Sequence, residues 1–289
     1  MILERMAPRA TRARDDAGHV GLRLMLVLAL LGVLATSFFV ASCGDTAATD
    51  DPNSATNGDP VEIVISAAAD LSPVLEKLAP LFEQESGVIL KTNLGSTGQL
   101  MEQIAAGAKV DVFLAASTSA IDQLEEKDLL VPGSSRIYGR GRLVMWTREE
   151  SPLSVRTLED LVGSDVSRIS IANPDHAPYG KAAREALESA GLWDQLQSKI
   201  VPGENVRQAF QFADTGNVDV GLVALSLVVK AGGTYALVPQ ELHKPIDQAL
   251  AIIASSTHQS EAEQFVAFLT GEVGREIFQE YGFVLPEEE

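Results

Sequence analysis

The sequence predicts an α/β fold of two lobes with a ligand cleft between them. Three observations predict it. From Val61 onward, short β-branched runs alternate with segments of helical periodicity, the pattern of parallel βαβ units. The alternation comes in two series, the second starting near Gly141, and a last strand and two helices remain that can return to the first. Small and polar residues mark strand-to-helix junctions in both series, where open α/β sheets bind ligands.

Each element follows from its local pattern. Residues 61–66 (VEIVIS) are β-branched and bounded, which suits a strand. From Leu71 to Gln84, apolar residues at 71, 74, 75, 78, 81 and 82 keep helical spacing, with Pro73 in the first turn. Residues 88–93 predict the next strand, 98–106 a helix, 111–115 (DVFLA) a third strand and 119–127 a third helix. In the second series, 143–146 and 168–171 read as strands, 181–190 as a helix, 199–201 as a strand, 206–213 as a helix and 218–223 as a strand. Residues 249–254 form an apolar strand, and 261–269 and 273–281 are the closing helices. The first lobe is therefore expected to hold 61–141 and 251–289, the second 142–250. The chain would cross between them near 143–146 and 249–253.

The first 42 residues are an address rather than part of either lobe. Five arginines against three acids leave them at +2, so the remainder carries −20 of a net −18. A basic segment followed by an apolar run from Leu24 to Val40 reads as an export signal. Its end, Val40-Ala41-Ser42-Cys43, resembles the bacterial lipobox and holds the only cysteine of the 289 residues. That resemblance implies lipidation of Cys43; an uncleaved N-terminal anchor is the alternative. Residues 43–60 are small, polar and turn-forming, a tether with a reach of about 20–25 Å. Both readings put the folded part at the outer face of the cytoplasmic membrane or in a periplasm.

Composition excludes other classes. A pI near 4.6 without a basic tract argues against a nucleic-acid partner. One cysteine excludes an internal disulfide framework and a zinc site of the CxxC…CxxC kind. His19, His243 and His258 lack metal-ligand spacing. His176 has no nucleophile motif beside it, and GxSxG is absent.

The strand-to-helix junctions offer a site for an anion. Helix N-termini present unpaired N–H groups and positive dipole ends. Four junctions carry short polar or glycine residues: 67–70 (AAAD), 95–98 (GSTG), 173–180 (NPDHAPYG) and 202–206 (PGENV). Two lie in each half, so an oxyanion between the lobes can meet neutral donors from both. GSTG lets the backbone come close to a ligand and adds two hydroxyls, although Ser or Thr there also suits a simple helix cap.

Six segments in order resemble the molybdate-binding proteins of ABC transporters, which have the periplasmic type II solute-binding fold. They are 67–71 (AAADL), 95–116 (GSTGQLMEQIAAGAKVDVFLAA), 173–187 (NPDHAPYGKAAREAL), 204–210 (ENVRQAF), 219–226 (DVGLVALS) and 275–283 (REIFQEYGF). The resemblance implies a receptor that closes on molybdate, and on tungstate of nearly equal size, and delivers it to a membrane permease. It implies a tetrahedral oxyanion held by Thr97 through hydroxyl and amide, with Ser96 beside it, and by the main-chain N–H groups of Tyr179 and Val206. It places the site's tyrosine at Tyr179, where some relatives have it at the position of Ala224. No enzyme activity, no cofactor, no direct metal ligand and a monomer are expected.

Asp70 departs from the Ser or Asn common in that family at its junction. An ionised carboxylate about 4 Å from a dianion costs several kcal/mol at intermediate dielectric. Asp70 can instead cap the following helix, the reading the sequence favours, or stay protonated and donate. A different ligand (sulfate, phosphate or another small anion) also fits its presence. An anchored hydrolase built on Asp70 and His176 is the alternative from another class. A micromolar site needs about 8 kcal/mol. Six or seven donors at roughly 0.5–1.5 kcal/mol each, more where charge-assisted, supply that without a lysine.

Overall fold

The computed structural model describes residues 60–286. The export signal, Cys43, the tether before Pro60 and the final glutamates 287–289 lie outside the described residues.

The first series runs β1 (Glu62–Ala68), a 3-10 turn at Ala69–Leu71, α1 (Ser72–Ser86), β2 (Ile89–Gly95), α2 (Thr97–Ala105), β3 (Val112–Ala115), α3 (Thr118–Glu125) and β4 (Arg136–Gly141). Pro73 stands in the first turn of α1, where its missing N–H leaves no bond unmade. Only Arg142 separates β4 from β5 (Leu143–Thr147), which opens the second series. There follow β6 (Ile169–Ala172), α4 (Pro178–Ser189), the short α5 (Trp193–Leu196), β7 (Ile200–Gly203), α6 (Val206–Asp214), β8 (Val220–Ala224), the short α7 (Leu225–Val228) and β9 (Thr234–Leu237). The chain then returns through β10 (Ile246–Ile252), α8 (Gln259–Thr270) and α9 (Glu272–Glu280).

Two five-stranded sheets result, in the orders β2-β1-β3-β10-β4 and β7-β6-β8-β5-β9. Each has three parallel strands and then a reversed one: β10 antiparallel to β3, and β5 antiparallel to β8. The two sheets share one plan, and in each the reversed strand is joined directly to a crossing between lobes. Because β10 pairs along its length in the first sheet, the return crossing falls before Ile246, ahead of the boundary at 250–251 read from the sequence. The outward crossing falls at Arg142, beside the expected place.

The cores follow the sheets. One face of the first sheet packs Leu71, Leu78 and Phe82 of the α1 side against Phe265 and Phe278 of α8 and α9. Its other face packs Leu100 and Ile104 of α2 and Ile121 of α3 around Phe113. The second lobe's core includes Trp146, Ile171, Leu187 and Leu222, and it takes in Ala68, Ala69 and Ala116 of the first lobe. Those three small residues let the two lobes meet closely along the cleft floor.

Candidate functional site

The four junctions singled out above lie at the carboxyl ends of β1, β2, β6 and β7. They converge on one small cavity, about 10 Å³, near the least that holds a water molecule. Asp70, Ser96, Thr97, Tyr179 and Val206 all line it, and none of its lining residues is lysine or arginine.

Three helices begin there. Thr97 is the first residue of α2, Tyr179 the second of α4 and Val206 the first of α6, so their N–H groups have no acceptor within their own helix. Ser96 caps α2 and Asn205 caps α6, the latter accepting from the Gln208 N–H at 3.0 Å. Pro178 starts α4, which leaves the Tyr179 N–H as the first main-chain donor of that helix. The helix begins at Pro178, three residues before the expected start at 181, and this brings Tyr179 into its first turn.

Thr97 is buried, and its Oγ1 accepts from the Ala116 N–H at 3.0 Å. That bond leaves the hydroxyl proton free to donate. The Ser96 hydroxyl lies 2.7 Å from Nδ1 of His176 in the opposite lobe, so its strongest bond is to the histidine. The Tyr179 ring is buried, and its hydroxyl donates to Asp70 Oδ2 at 3.0 Å.

Asp70 does not cap. No side chain caps either the 3-10 turn or α1. The turn directs the carboxyl across the cleft, where Tyr179 and the Gln248 amide both donate to Oδ2. Tyr138 completes the chain by donating to Gln248 Oε1 at 2.6 Å. Asp70 is 1% exposed, and its Oδ1 is buried without a hydrogen-bond partner. Burial pushes the carboxyl up to about 6, against the opposing pull of the Gln248 and Tyr179 bonds. Burial and the neighbouring Asp70 charge hold Tyr138 and Tyr179 well above the usual tyrosine range. The hydrolase pairing is not formed: Asp70 is joined to Tyr179 and Gln248, His176 to Ser96.

Several of these bonds cross the cleft. The Gly98 N–H donates to the His176 carbonyl at 2.9 Å, and the Ser226 hydroxyl to the Asp70 carbonyl at 2.8 Å. Lys230, after α7, pairs with Glu280 of α9. Gly141, at the end of β4, has to be glycine, because a Cβ there would lie 2.0 Å from the Tyr179 hydroxyl oxygen. The lobes are thus closed on one another around the cavity.

Sequence reasoning missed Tyr138 and Gln248. Tyr138 sits in RIYGRG, whose two glycines and two arginines hide a strand. Gln248 precedes the apolar run 249–254 expected as a strand, yet it lies inside β10 and is 0% exposed. A buried glutamine between apolar strand residues was the available signal, since it has to find polar partners.

The model of the bacterial extracellular solute-binding protein family matches residues 63–284. The molybdate-binding protein ModA of Rhodobacter capsulatus is 35% identical over 77% of this chain and 88% of its own. A substrate-binding lipoprotein of Bacillus subtilis, YvgL, described as a putative ABC transporter component, is 29% identical over 88% and 96%. The solved periplasmic molybdate-binding protein of Azotobacter vinelandii superposes with a TM-score of 0.75 at 32% identity. It covers 78% of this chain and 100% of its own, so the part of this chain that it matches corresponds to a complete folded protein.

Proposed function

We propose that this chain, which belongs to the bacterial extracellular solute-binding protein family, is an extracytoplasmic receptor that binds molybdate between its lobes and hands it to an ABC permease. The family is one of solute-binding proteins rather than enzymes. The observation that carries the reading is the convergence of three helix N-termini, with the Thr97 hydroxyl, on one buried cavity without a cation. A tetrahedral oxyanion, larger than a water molecule, widens the cavity as it enters and exchanges its water for fixed N–H and O–H dipoles, and the macrodipoles of α2, α4 and α6 add to their field. Donors from both lobes make the closed form the better binder, so the ligand favours closure. Tungstate, alike in size and charge, is expected to bind nearly as well, and smaller sulfate to leave donors out of reach. In the same reading the chain is tethered through lipidated Cys43 at the outer face of the membrane.

Isothermal titration calorimetry on ligand-stripped residues 60–289 tests this against molybdate, tungstate, sulfate and phosphate. Tight one-to-one heats for the first two, with sulfate far weaker, are the expected result. A folded sample with no molybdate heat and an unmoved melting temperature overturns it.

Thr97→Val probes the donor set. It removes one charge-assisted bond to the anion, about 1.5–3 kcal/mol, so Kd should rise about 10- to 150-fold. It also orphans the buried Ala116 N–H, which costs stability of about 1–3 kcal/mol. Thr97→Ser keeps the hydroxyl and should restore most of both. Unchanged molybdate affinity in the valine variant would take Thr97 out of the site.

A further inference from the structure

We propose that the site takes up one proton with each oxyanion it binds, and that this proton resides on Asp70 Oδ1 and is donated to the anion. This rests on the receptor reading above and adds to it how the site is regulated by pH.

The hydrogen-bond geometry places the proton. A neutral carboxyl has one oxygen that only accepts and one that carries the hydrogen. Both side-chain donors that reach Asp70, Tyr179 and Gln248, reach Oδ2. Gln248 is turned to present its amide N–H because its own oxygen is taken by the Tyr138 hydroxyl. Oδ2 is therefore the accepting oxygen. Oδ1, buried and without a partner, belongs to a residue that lines the cavity, and it is the oxygen left to donate.

Charge makes the proton necessary. An ionised Asp70 beside a dianion, both out of water, repel one another strongly. None of the residues that line the cavity is a lysine or arginine to offset them. The ionisable groups joined to Asp70 are Tyr138 of β4, through Gln248 of β10, and Tyr179 of α4. Of the charged residues in the surrounding elements, Glu76, Lys77 and Glu85 in α1, Lys91 in β2, Lys181, Arg184 and Glu188 in α4, and Arg207 and Asp214 in α6 are exposed, while the half-buried Glu83 and Glu185 accept the main-chain N–H groups of Leu90 and Lys244. Arg140 and Asp247 pair with each other, and α7 contributes the neutral Ser226. A proton from solvent is the simplest way to remove the repulsion, and it turns a repelling group into one more donor. In the free protein Asp70 titrates near 6, so at pH 8 the proton is taken up on binding and at pH 5 it is mostly already present.

The test is molybdate titration of residues 60–289 at pH 5 and pH 8, each in buffers of different ionisation enthalpy. The dependence of observed heat on buffer ionisation counts the protons. Near one proton at pH 8 and near none at pH 5 is expected, with Kd rising about tenfold per pH unit above 7. Asp70→Asn carries an N–H donor in place of the O–H. It should bind with no proton uptake and a flat pH profile, about 100-fold tighter than the parent at pH 8. If the variant does not fold, the proton count of the parent decides alone. Tight molybdate binding at pH 8 with no proton uptake overturns the proposal and leaves the receptor reading standing. Absence of molybdate heat at both pH values, in a sample that still melts cooperatively, overturns the receptor reading and this proposal with it.

Discussion

Asp70→Asn is expected to stabilise the ligand-free protein by about 3 kcal/mol at pH 8 and by almost nothing below pH 4. The figure is the distance between about 6 in the folded state and the ordinary 3.8, at about 1.4 kcal/mol per pH unit. The sign follows from which state holds the proton more tightly. Between those two values the folded protein binds it and the unfolded chain does not, so stability falls as pH rises through that window. Above about 6 the full cost of burying the carboxylate is present; below about 3.8 both states are protonated and it vanishes. An asparagine keeps the accepting oxygen for Tyr179 and Gln248 and has no charge to bury. Urea unfolding of parent and variant at unit steps from pH 4 to 8 reads the difference, and acid effects of other carboxylates cancel in it. A constant difference across that range would mean that Asp70 is not the titrating group.

A residue that destabilises the free protein while lining its cavity marks a place where function and stability pull apart. It also marks where the sequence was least readable. Asp70 follows a strand and precedes a helix, and on local chemistry a short acidic residue there is a cap. The structure differs because the chain makes a 3-10 turn at 69–71, which aims the carboxyl at the other lobe instead of along α1. Its partners come from 109 and 178 residues away. Local propensity carries no information about contacts at that range. Ser96 shows the same limit: its place as the cap of α2 was legible, its bond to His176 eighty residues on was not.

By contrast, the alternation of strands and helices, the two series and the four junctions follow from patterns a few residues long, and these carried over with shifts of one to three residues. The gathering of the four junctions around one cavity followed from the pattern, because strand ends in such sheets share an edge, whereas Thr97, Tyr179 and Val206 were singled out within them by the family resemblance. The strands that stayed hidden, β4 and β9, lie at sheet edges. The partly exposed RIYGRG and TYAL lack the apolar runs that identify strands buried on both faces.

Gly98→Ala is expected to weaken molybdate binding about 100-fold while leaving the free protein as stable as before. Gly98 is the second residue of α2, beside Thr97, and its N–H bonds to the His176 carbonyl of the other lobe at 2.9 Å. A Cβ at this position would stand 2.8 Å from that carbonyl oxygen and 3.1 Å from the His176 Cα. Both are main-chain atoms, so no side-chain rotation relieves the clash; either the 173–177 loop or a whole lobe has to move. Moving the lobe apart opens the cleft and gives up the bonds across it, a cost that alanine's better fit to a helix, up to about 1 kcal/mol, offsets in the free protein. The closed state bears the clash. If it falls to about 1% of the population, the apparent Kd rises about 100-fold, with every donor to the anion still in place. Three measurements separate this from a damaged site: the melting temperature of the free variant, its molybdate Kd, and small-angle scattering without ligand and at saturating molybdate. A retained melt, a raised Kd and a radius of gyration that is larger than the parent's without ligand and reaches the parent's only at saturating molybdate together mean that lobe closure, not donor chemistry, was impaired. A parent-like Kd would instead mean that the anion is held without the Gly98–His176 contact, and that closure is driven by the donors of α2, α4 and α6 alone.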